Sequence, residues 1–170
     1  MLPVLDFGIV KFPTFFLVLT LIMGLAFYLT TIRSRKLQLD EKSSLDLSLV
    51  LILGGLFGAR LFHIVFENID YYLDEPSKIF FFWEGGFVFY GGLIFGFLAG
   101  VVFLALKNKL SYLRLYLRLY TPILSISYAL GRLGCFFQGC CYGKVCNLPW
   151  SIDGRHPTQI YSSIWELVVL

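Results

Sequence analysis

The sequence predicts an all-α, polytopic membrane protein with four full spans and the start of a fifth. Of the 170 residues, 58% are hydrophobic and only 15% are charged, whereas a typical soluble domain has about 25% charged residues. The mean hydropathy of +0.77 indicates the same class. This composition excludes a soluble globular enzyme and a disordered chain, and the net charge of only +3 excludes a protein that binds nucleic acid.

Five apolar segments are predicted as membrane spans, since about 20 residues cross the hydrocarbon core. The second and fourth contain Arg60 and Arg132, and the first and third carry no charge. The fifth breaks off where the sequence ends, so we expect the chain to be cut short. The spans lie near residues 12–32, 47–66, 85–106, 119–142 and 160–170, within a single transmembrane domain of residues 1–170.

The distribution of Lys and Arg predicts the orientation of the chain, because these residues accumulate on the cytoplasmic side. The first loop and the loop between spans three and four contain eight of them, and the opposite side contains four. The N-terminus is therefore predicted to be outside. The cytoplasmic set is Arg33, Arg35, Lys36, Lys42, Lys107, Lys109, Arg114 and Arg118, and the outer set is Lys11, Lys78, Lys144 and Arg155.

Small residues on spans two and three recur with a spacing of four. Gly92, Gly96 and Gly100 share one face of span three, and Gly54 and Gly58 share one face of span two. This spacing lets helix backbones approach closely in lipid. These faces therefore predict close helix packing.

Arg60 and Arg132 are the most informative residues, because each lies well inside a predicted span. A central arginine costs about 2.5–3.5 kcal/mol on insertion scales, and no acidic residue in the middle of a span can neutralise both. The surplus of positive charge predicts a bound anion, and a lipid phosphate suits the planar guanidinium fork. The alternative is a structural arginine that donates to backbone carbonyls where a helix is broken.

The cysteines all lie in one stretch near the predicted outer end of span four, and their spacing is C-x4-C-C-x4-C. Common zinc sites instead use C-x2-C spacing. Disulfide formation or packing, a reactive thiol and a metal site all remain open. His156 lies beside Arg155 where the chain re-enters the membrane and is equally open between function and structure, because such a histidine can titrate near neutral pH. The four cysteines are Cys135, Cys140, Cys141 and Cys146.

Several short motifs occur in order along the chain. They are Gly58-Ala59-Arg60, Trp83-Glu84-Gly85-Gly86, Phe89-Tyr90-Gly91-Gly92-Leu93-Ile94, Gly131-Arg132-Leu133-Gly134-Cys135-Phe136-Phe137-Gln138-Gly139, and His156-Pro157-Thr158-Gln159-Ile160-Tyr161 with Glu166 behind it. Together these motifs resemble those of one family, the prolipoprotein diacylglyceryl transferases. The resemblance covers nearly the whole chain.

The resemblance implies an activity and its partners. Members of the family transfer the diacylglyceryl group of phosphatidylglycerol to the thiol of a lipobox cysteine in a prolipoprotein signal peptide, and glycerol phosphate leaves. They act among membrane lipids as multi-pass proteins of the bacterial inner (cytoplasmic) membrane. The family implies no cofactor, no metal and no nucleic acid. Because its members are longer, the resemblance also implies that this chain is the N-terminal part of a larger transferase.

The resemblance also assigns roles to site residues. Arg132 occupies the position of the phosphate-binding arginine, with Arg60 and Gly134 as further phospholipid-binding residues. His156, Tyr90 and Cys140 are the candidates for accepting the proton of the substrate thiol, since a thiolate is the nucleophile.

The chain departs from the family pattern at four positions, which implies a divergent, cysteine-rich branch. Tyr90 stands in place of histidine, Cys135 and Gln138 stand in place of asparagines, and Cys140 stands in place of glutamate. The alternative function is that of a non-catalytic, redox or metal-binding membrane protein whose arginines bind lipid headgroups.

Overall fold

The computed structural model describes residues 4–6, 11–81 and 85–170, with side chains for Thr14 and from Leu17 onwards. Trp83 and Glu84, which belong to one of the motifs, lie outside the described residues. A short hairpin precedes the helices, with β1 (Val4–Asp6) antiparallel to β2 (Lys11–Pro13). The helices are α1 (Thr14–Lys36), α2 (Glu41–Phe62), α3 (Ile69–Asp74), α4 (Phe89–Leu106), α5 (Leu113–Gln138) and α6 (Thr158–Val169).

The helical membrane class is confirmed, and the hairpin is an addition that the sequence did not predict. Within the described residues, three helices are long and apolar enough to cross a membrane: Leu17–Lys36, Glu41–Glu67, where a π-helical turn extends α2, and Phe89–Leu106. They correspond to the first three predicted spans. The fourth and fifth form α5 and α6, which are not among the three. The number of spans and the orientation therefore stay predictions.

The start of α4 and the end of α5 differ from the boundaries of the predicted spans, because glycines at these two places adopt left-handed backbone conformations. Span three was predicted from Gly85, but α4 begins at Phe89, because φ is +88° at Gly85 and +78° at Gly86. Span four was predicted to end at residue 142, but α5 ends at Gln138, before a left-handed Gly139. A right-handed helix cannot continue through positive φ.

The chain divides into two compact units, residues 38–116 and residues 1–37 with 117–170. The prediction of a single domain over residues 1–170 stays a prediction. In the unit of residues 38–116, α2 and α4 pack antiparallel through the glycine faces that the sequence predicts. A Cβ atom at Gly54 would lie 2.7 Å from that of Ala99, and one at Gly100 would lie 2.9 Å from Leu51. The side chains that point away are apolar and exposed, as lipid-facing residues should be.

The same unit is tied together at one end by Asp40, which caps α2. The Asp40 carboxylate accepts from the Ser43 backbone N–H at 3.1 Å and from the Lys109 ammonium at 3.1 Å, and Lys109 also donates to the Ser43 hydroxyl at 2.6 Å. The Ser43 hydroxyl also donates to this carboxylate. This bond is the largest cause, and the bonds from Lys109 and the Ser43 backbone are further causes, of the fall in the pKa of Asp40 to about 2. The carboxylate therefore stays ionised, and its contacts are kept, until the pH falls towards that value.

In the unit of residues 1–37 and 117–170, α6 runs antiparallel to the C-terminal half of α5. The Ser163 hydroxyl donates to the carbonyl of Ala129 at 3.0 Å, and the Ser125 hydroxyl donates to the Glu166 carboxylate at 2.7 Å. Ser163 is almost completely buried where α6 packs against α5. The start of α6 therefore lies beside the end of α5, which is where the candidate site is found.

Gly58→Ala should destabilise the protein, whereas Gly24→Ala should not. A Cβ at Gly58 would collide with the Gly91 carbonyl and with Phe95, while nothing lies within 4 Å of a Cβ at Gly24. Overpacking of this kind costs about 1–3 kcal/mol, and alanine is otherwise the better helix former by about 1 kcal/mol. Thermal unfolding in detergent measures the difference. Equal melting temperatures for the two variants would contradict the close α2–α4 contact.

Candidate functional site

Arg60 lies near the C-terminal end of α2 and is buried, with 4% of its surface exposed. Its guanidinium donates to backbone carbonyls of the connection between α3 and α4 and lies 5.3 Å from the centre of the Tyr72 ring. These contacts match the structural alternative, and the predicted contact of Arg60 with a lipid phosphate stays a prediction. The acceptors are the carbonyl oxygens of Lys78 (2.7 Å), Phe81 (3.2 Å), Ile79 (3.4 Å), Gly86 (3.4 Å) and Gly85.

Arg132 lies in the C-terminal part of α5 and differs from Arg60 in having an open donor. Its Nε atom is buried and has no hydrogen-bond partner among the described residues, whereas the Nε of Arg60 donates to Ile79. A buried N–H group without an acceptor costs about 1–3 kcal/mol. A ligand acceptor that reaches Nε after a shift of the surrounding side chains would pair with it without displacing a protein contact at Nε.

Two buried acceptors lie at the end of α5 and at the start of α6. The Oε1 atoms of Gln138, at the end of α5, and of Gln159, at the start of α6, also have no partner in the described part of the chain. Gln159 is fully buried, and its Nε2 donates to the carbonyl of Cys140 at 2.5 Å. The fourth buried atom of this kind, Arg33 Nε, lies towards the other end of α5, where Arg33 contacts the Arg118 carbonyl.

The end of α5 has the hydrogen bonds of a Schellman motif. The backbone N–H of Cys140 donates to the carbonyl of Cys135 at 3.1 Å, and that of Gly139 donates to the carbonyl of Phe136 at 3.1 Å. Gly139 has φ +78°, as the motif requires. The motif folds the chain back, so the residue after the glycine lies over the last turn of the helix. It therefore brings Cys140 onto Cys135.

Three thiols meet at this point. The sulfur atoms of Cys135, Cys140 and Cys141 all lie within 4.8 Å of one another, and those of Cys140 and Cys141 are 3.6 Å apart. All four cysteines of the chain have free thiols, and Cys146 is not part of this group. Burial raises the pKa of the Cys140 thiol, in the loop beyond the helix, to about 12. We call Cys135, Cys140 and Cys141 the thiol cluster.

The start of α6 holds the loop that carries the thiol cluster. The Thr158 hydroxyl donates to the Cys141 carbonyl at 2.8 Å, and the Gln159 amide donates to the Cys140 carbonyl. Cys141 has φ +64°, which is costly for a residue other than glycine. These two bonds therefore hold a strained turn in place.

His156 is half-buried just before α6, and its backbone pairs with the same loop. Its carbonyl accepts from the Gly143 N–H at 2.9 Å, and its own N–H donates to the Lys144 carbonyl at 3.1 Å. The ring Nδ1 lies 3.4 Å from the hydroxyl of Tyr161, which accepts from the Trp150 indole at 2.9 Å. The imidazole is therefore placed by its backbone and lies beside a phenol.

The remaining predicted site residues are placed differently. Gly134 is buried in α5 between Arg132 and Cys135. Tyr90 lies in the first turn of α4, in the other unit, with 69% of its surface exposed and its ring against that of Phe89. The structure thus brings together Arg132, Gly134 and Cys140 with the segment that begins at His156, whereas Arg60 and Tyr90 belong to the unit of residues 38–116.

Sequence reasoning missed the polar role of Gln159 and the reason why the cysteines meet. Gln159 was quoted only as part of a motif, yet it is the buried side chain that joins α6 to the Cys140 loop. The signal for the thiol cluster was Gly139, because a glycine directly after a helical segment is typical of a Schellman ending. In that motif the residue after the glycine bonds to the residue five positions before it, which here joins Cys140 to Cys135. Spacing between cysteines alone did not reveal it.

Comparison with known proteins identifies one family. The sequence model of prolipoprotein diacylglyceryl transferase matches residues 4–170. Phosphatidylglycerol–prolipoprotein diacylglyceryl transferase of Geobacter sulfurreducens is 38% identical over 143 residues, which are 80% of this chain and 54% of the relative. That of Clostridioides difficile is 38% identical over 139 residues, 78% of this chain and 54% of the relative.

A cyanobacterial relative is more distant. Phosphatidylglycerol–prolipoprotein diacylglyceryl transferase of Trichormus variabilis is 32% identical over 150 residues, covering 80% of this chain and 52% of the relative. The chain spans about half the length of the curated relatives it matches. The match over residues 4–170 and these identities show that the chain belongs to the prolipoprotein diacylglyceryl transferase family.

Proposed function

We propose that this protein takes part in lipoprotein maturation, by transferring a diacylglyceryl group from phosphatidylglycerol to the thiol of a lipobox cysteine in a prolipoprotein. The observation that carries the proposal is the buried, open Nε donor of Arg132. The names of the relatives supply the substrates. The proposed location is the bacterial inner membrane, for which the three apolar helices supply the membrane character.

The open polar atoms of Arg132, Gln138 and Gln159 match the headgroup of phosphatidylglycerol in kind. Phosphate oxygens only accept hydrogen bonds, and a guanidinium is their best donor. The glycerol hydroxyls of the headgroup can donate to the open Oε1 atoms of Gln138 and Gln159. A lipid whose headgroup has a phosphate but no O–H or N–H donor, such as phosphatidylcholine, would satisfy Arg132 and leave both acceptors unpaired. The region therefore favours a headgroup that carries both groups.

The transfer forms one bond and breaks one bond. The thiol sulfur bonds to the terminal glyceryl carbon of the diacylglyceryl group while the bond from that carbon to the phosphate oxygen breaks, so a thioether forms and glycerol phosphate leaves. Negative charge develops on the leaving phosphate, and Arg132 stabilises it as it departs. Since the donor is already buried, it needs no reorientation from water during the reaction.

The thiol proton needs an acceptor, because only the thiolate is a good nucleophile. We assign this role to His156, because histidine is the side chain that most often serves as a general base and because the Gly143 and Lys144 backbone fixes the position of this residue. Tyr90 and Cys140 remain candidates from the sequence. Arg60 supports the connection before α4 through the carbonyls that it binds.

The activity is tested with the full-length protein reconstituted in vesicles that contain phosphatidylglycerol with a labelled diacylglyceryl group, together with a lipobox peptide. We expect label on the peptide thiol, none on a peptide with serine in place of the cysteine, and less with phosphatidylcholine, whose headgroup has no hydrogen-bond donor, as the donor lipid. An active relative provides the positive control. An unlabelled peptide beside an active control would instead favour a non-catalytic membrane protein.

The two intramembrane arginines should respond differently to the same substitution. Arg132→Lys keeps the charge but loses Nε, so we expect turnover to fall about 10²-fold, as for the loss of one donor to a developing charge. Arg60→Lys should instead lower the melting temperature, since each carbonyl left without a donor costs about 1–3 kcal/mol.

Arg118→Lys is the matched control, because Arg118 is exposed on the same helix as Arg132. It should change neither turnover nor melting temperature. Unchanged turnover in Arg132→Lys would remove Arg132 from the phosphate site. A fall in turnover at unchanged melting temperature in Arg60→Lys would return the phosphate role to Arg60.

A further inference from the structure

With His156 as the proton acceptor, the transfer reaction derived above uses none of the thiol cluster, and in the described residues this cluster is a group of three side chains whose ligand atoms could hold one metal ion. We propose that Cys135, Cys140 and Cys141 form a binding site for a thiophilic d10 cation, Zn²⁺ or Cu⁺. Neither the family name nor the names of the relatives assign a metal to these residues. The inference stands on the geometry of the cluster and does not rest on the proposed transferase activity.

The sulfur separations fit a bound cation. A zinc–sulfur bond is about 2.3 Å long, so two thiolates on one zinc ion lie about 3.8–4.0 Å apart. The three sulfur atoms here all lie within 4.8 Å of one another, and those of Cys140 and Cys141 are 3.6 Å apart. Rotation about the side-chain bonds that moves the sulfur atoms by up to about one ångström brings all three to the distance of ligands on one ion.

The fold prearranges these ligands. The Schellman motif at Gly139 sets Cys140 on Cys135, and the bond from Thr158 to the Cys141 carbonyl holds Cys141 in its left-handed conformation. The Cys135 ligand lies on a helix, and the other two lie in a loop that is bonded to a second helix. A site with ligands fixed in this way loses little conformational freedom when it binds.

The charge balance and the ligand type select the cation. Each thiol releases one proton to solvent on binding, so Zn²⁺ with three thiolates carries one net negative charge, and Cu⁺ carries two. Arg132 is close enough for its positive charge to act on Cys135, and it offsets one negative charge of the metal site. Thiolate ligands favour Zn²⁺ and Cu⁺ over Mg²⁺, Ca²⁺ and Mn²⁺. Three protein ligands leave a fourth position open on zinc.

The first test uses the unmodified full-length protein in detergent with a phosphine reductant. Addition of Zn²⁺ or Cu⁺ should give about one bound metal per chain by elemental analysis, whereas Mg²⁺ and Mn²⁺ should not bind. The metal should slow alkylation of Cys135, Cys140 and Cys141 at least tenfold, as read by peptide mass spectrometry, and leave Cys146 unchanged. X-ray absorption then counts three sulfur ligands for either metal. Equal alkylation rates with and without metal would overturn the proposal.

The second test uses variants with Cys146→Ser as the matched control, because Cys146 lies outside the cluster. Cys135→Ser and Cys141→Ser should each weaken binding at least tenfold, and Cys146→Ser should bind like the unmodified protein. Binding that survives both cluster variants, or a disulfide among these cysteines in freshly isolated membranes, would overturn the site. Metal binding is measured without phospholipid and lipid transfer is measured with a chelator present, so either can fail alone.

Discussion

A buried N–H group of a guanidinium has to find an acceptor, and this requirement bears on both units of the chain. The guanidinium of Arg60 meets it through the connection before α4, where it donates to backbone carbonyls that include those of Lys78 and Gly86. Gly85 and Gly86 allow this approach, since both have positive φ. Arg132 meets it only in part, because its Nε has no partner among the described residues. The difference supports our proposal that Arg60 has a structural role and that Arg132 binds a ligand.

The end of α5 determines what surrounds Arg132. Gly139 ends the helix and turns the chain, which sets the thiol cluster one turn beyond the arginine. The first residues of α6 then fasten this loop through Thr158 and Gln159. The motifs at the end of α5 and at the start of α6 are distant in sequence but form one bonded structure. A change at Gln159 therefore reaches the cysteine loop directly.

Features that depend on the length and spacing of residues along the chain could be predicted better than features that depend on which groups meet in the fold. Apolar length predicted the three spanning helices, and glycines spaced by four predicted the close packing of α2 and α4. The sequence could not separate Arg60 from Arg132, since both are arginines within apolar runs, and only the position of the carbonyls distinguishes them. The meeting of the cysteines was also hidden, because it depends on the backbone turn at Gly139 and not on cysteine spacing.

We propose that the open donor of Arg132 binds the phosphate of the donor lipid. A structure of the full-length protein in a lipid nanodisc with phosphatidylglycerol measures this contact directly. We expect a phosphate oxygen about 2.7–2.9 Å from the Arg132 Nε, with the carbonyl contacts of Arg60 unchanged. A phosphate bound to Arg60 in place of those carbonyls, with Nε of Arg132 still unpaired, would contradict it.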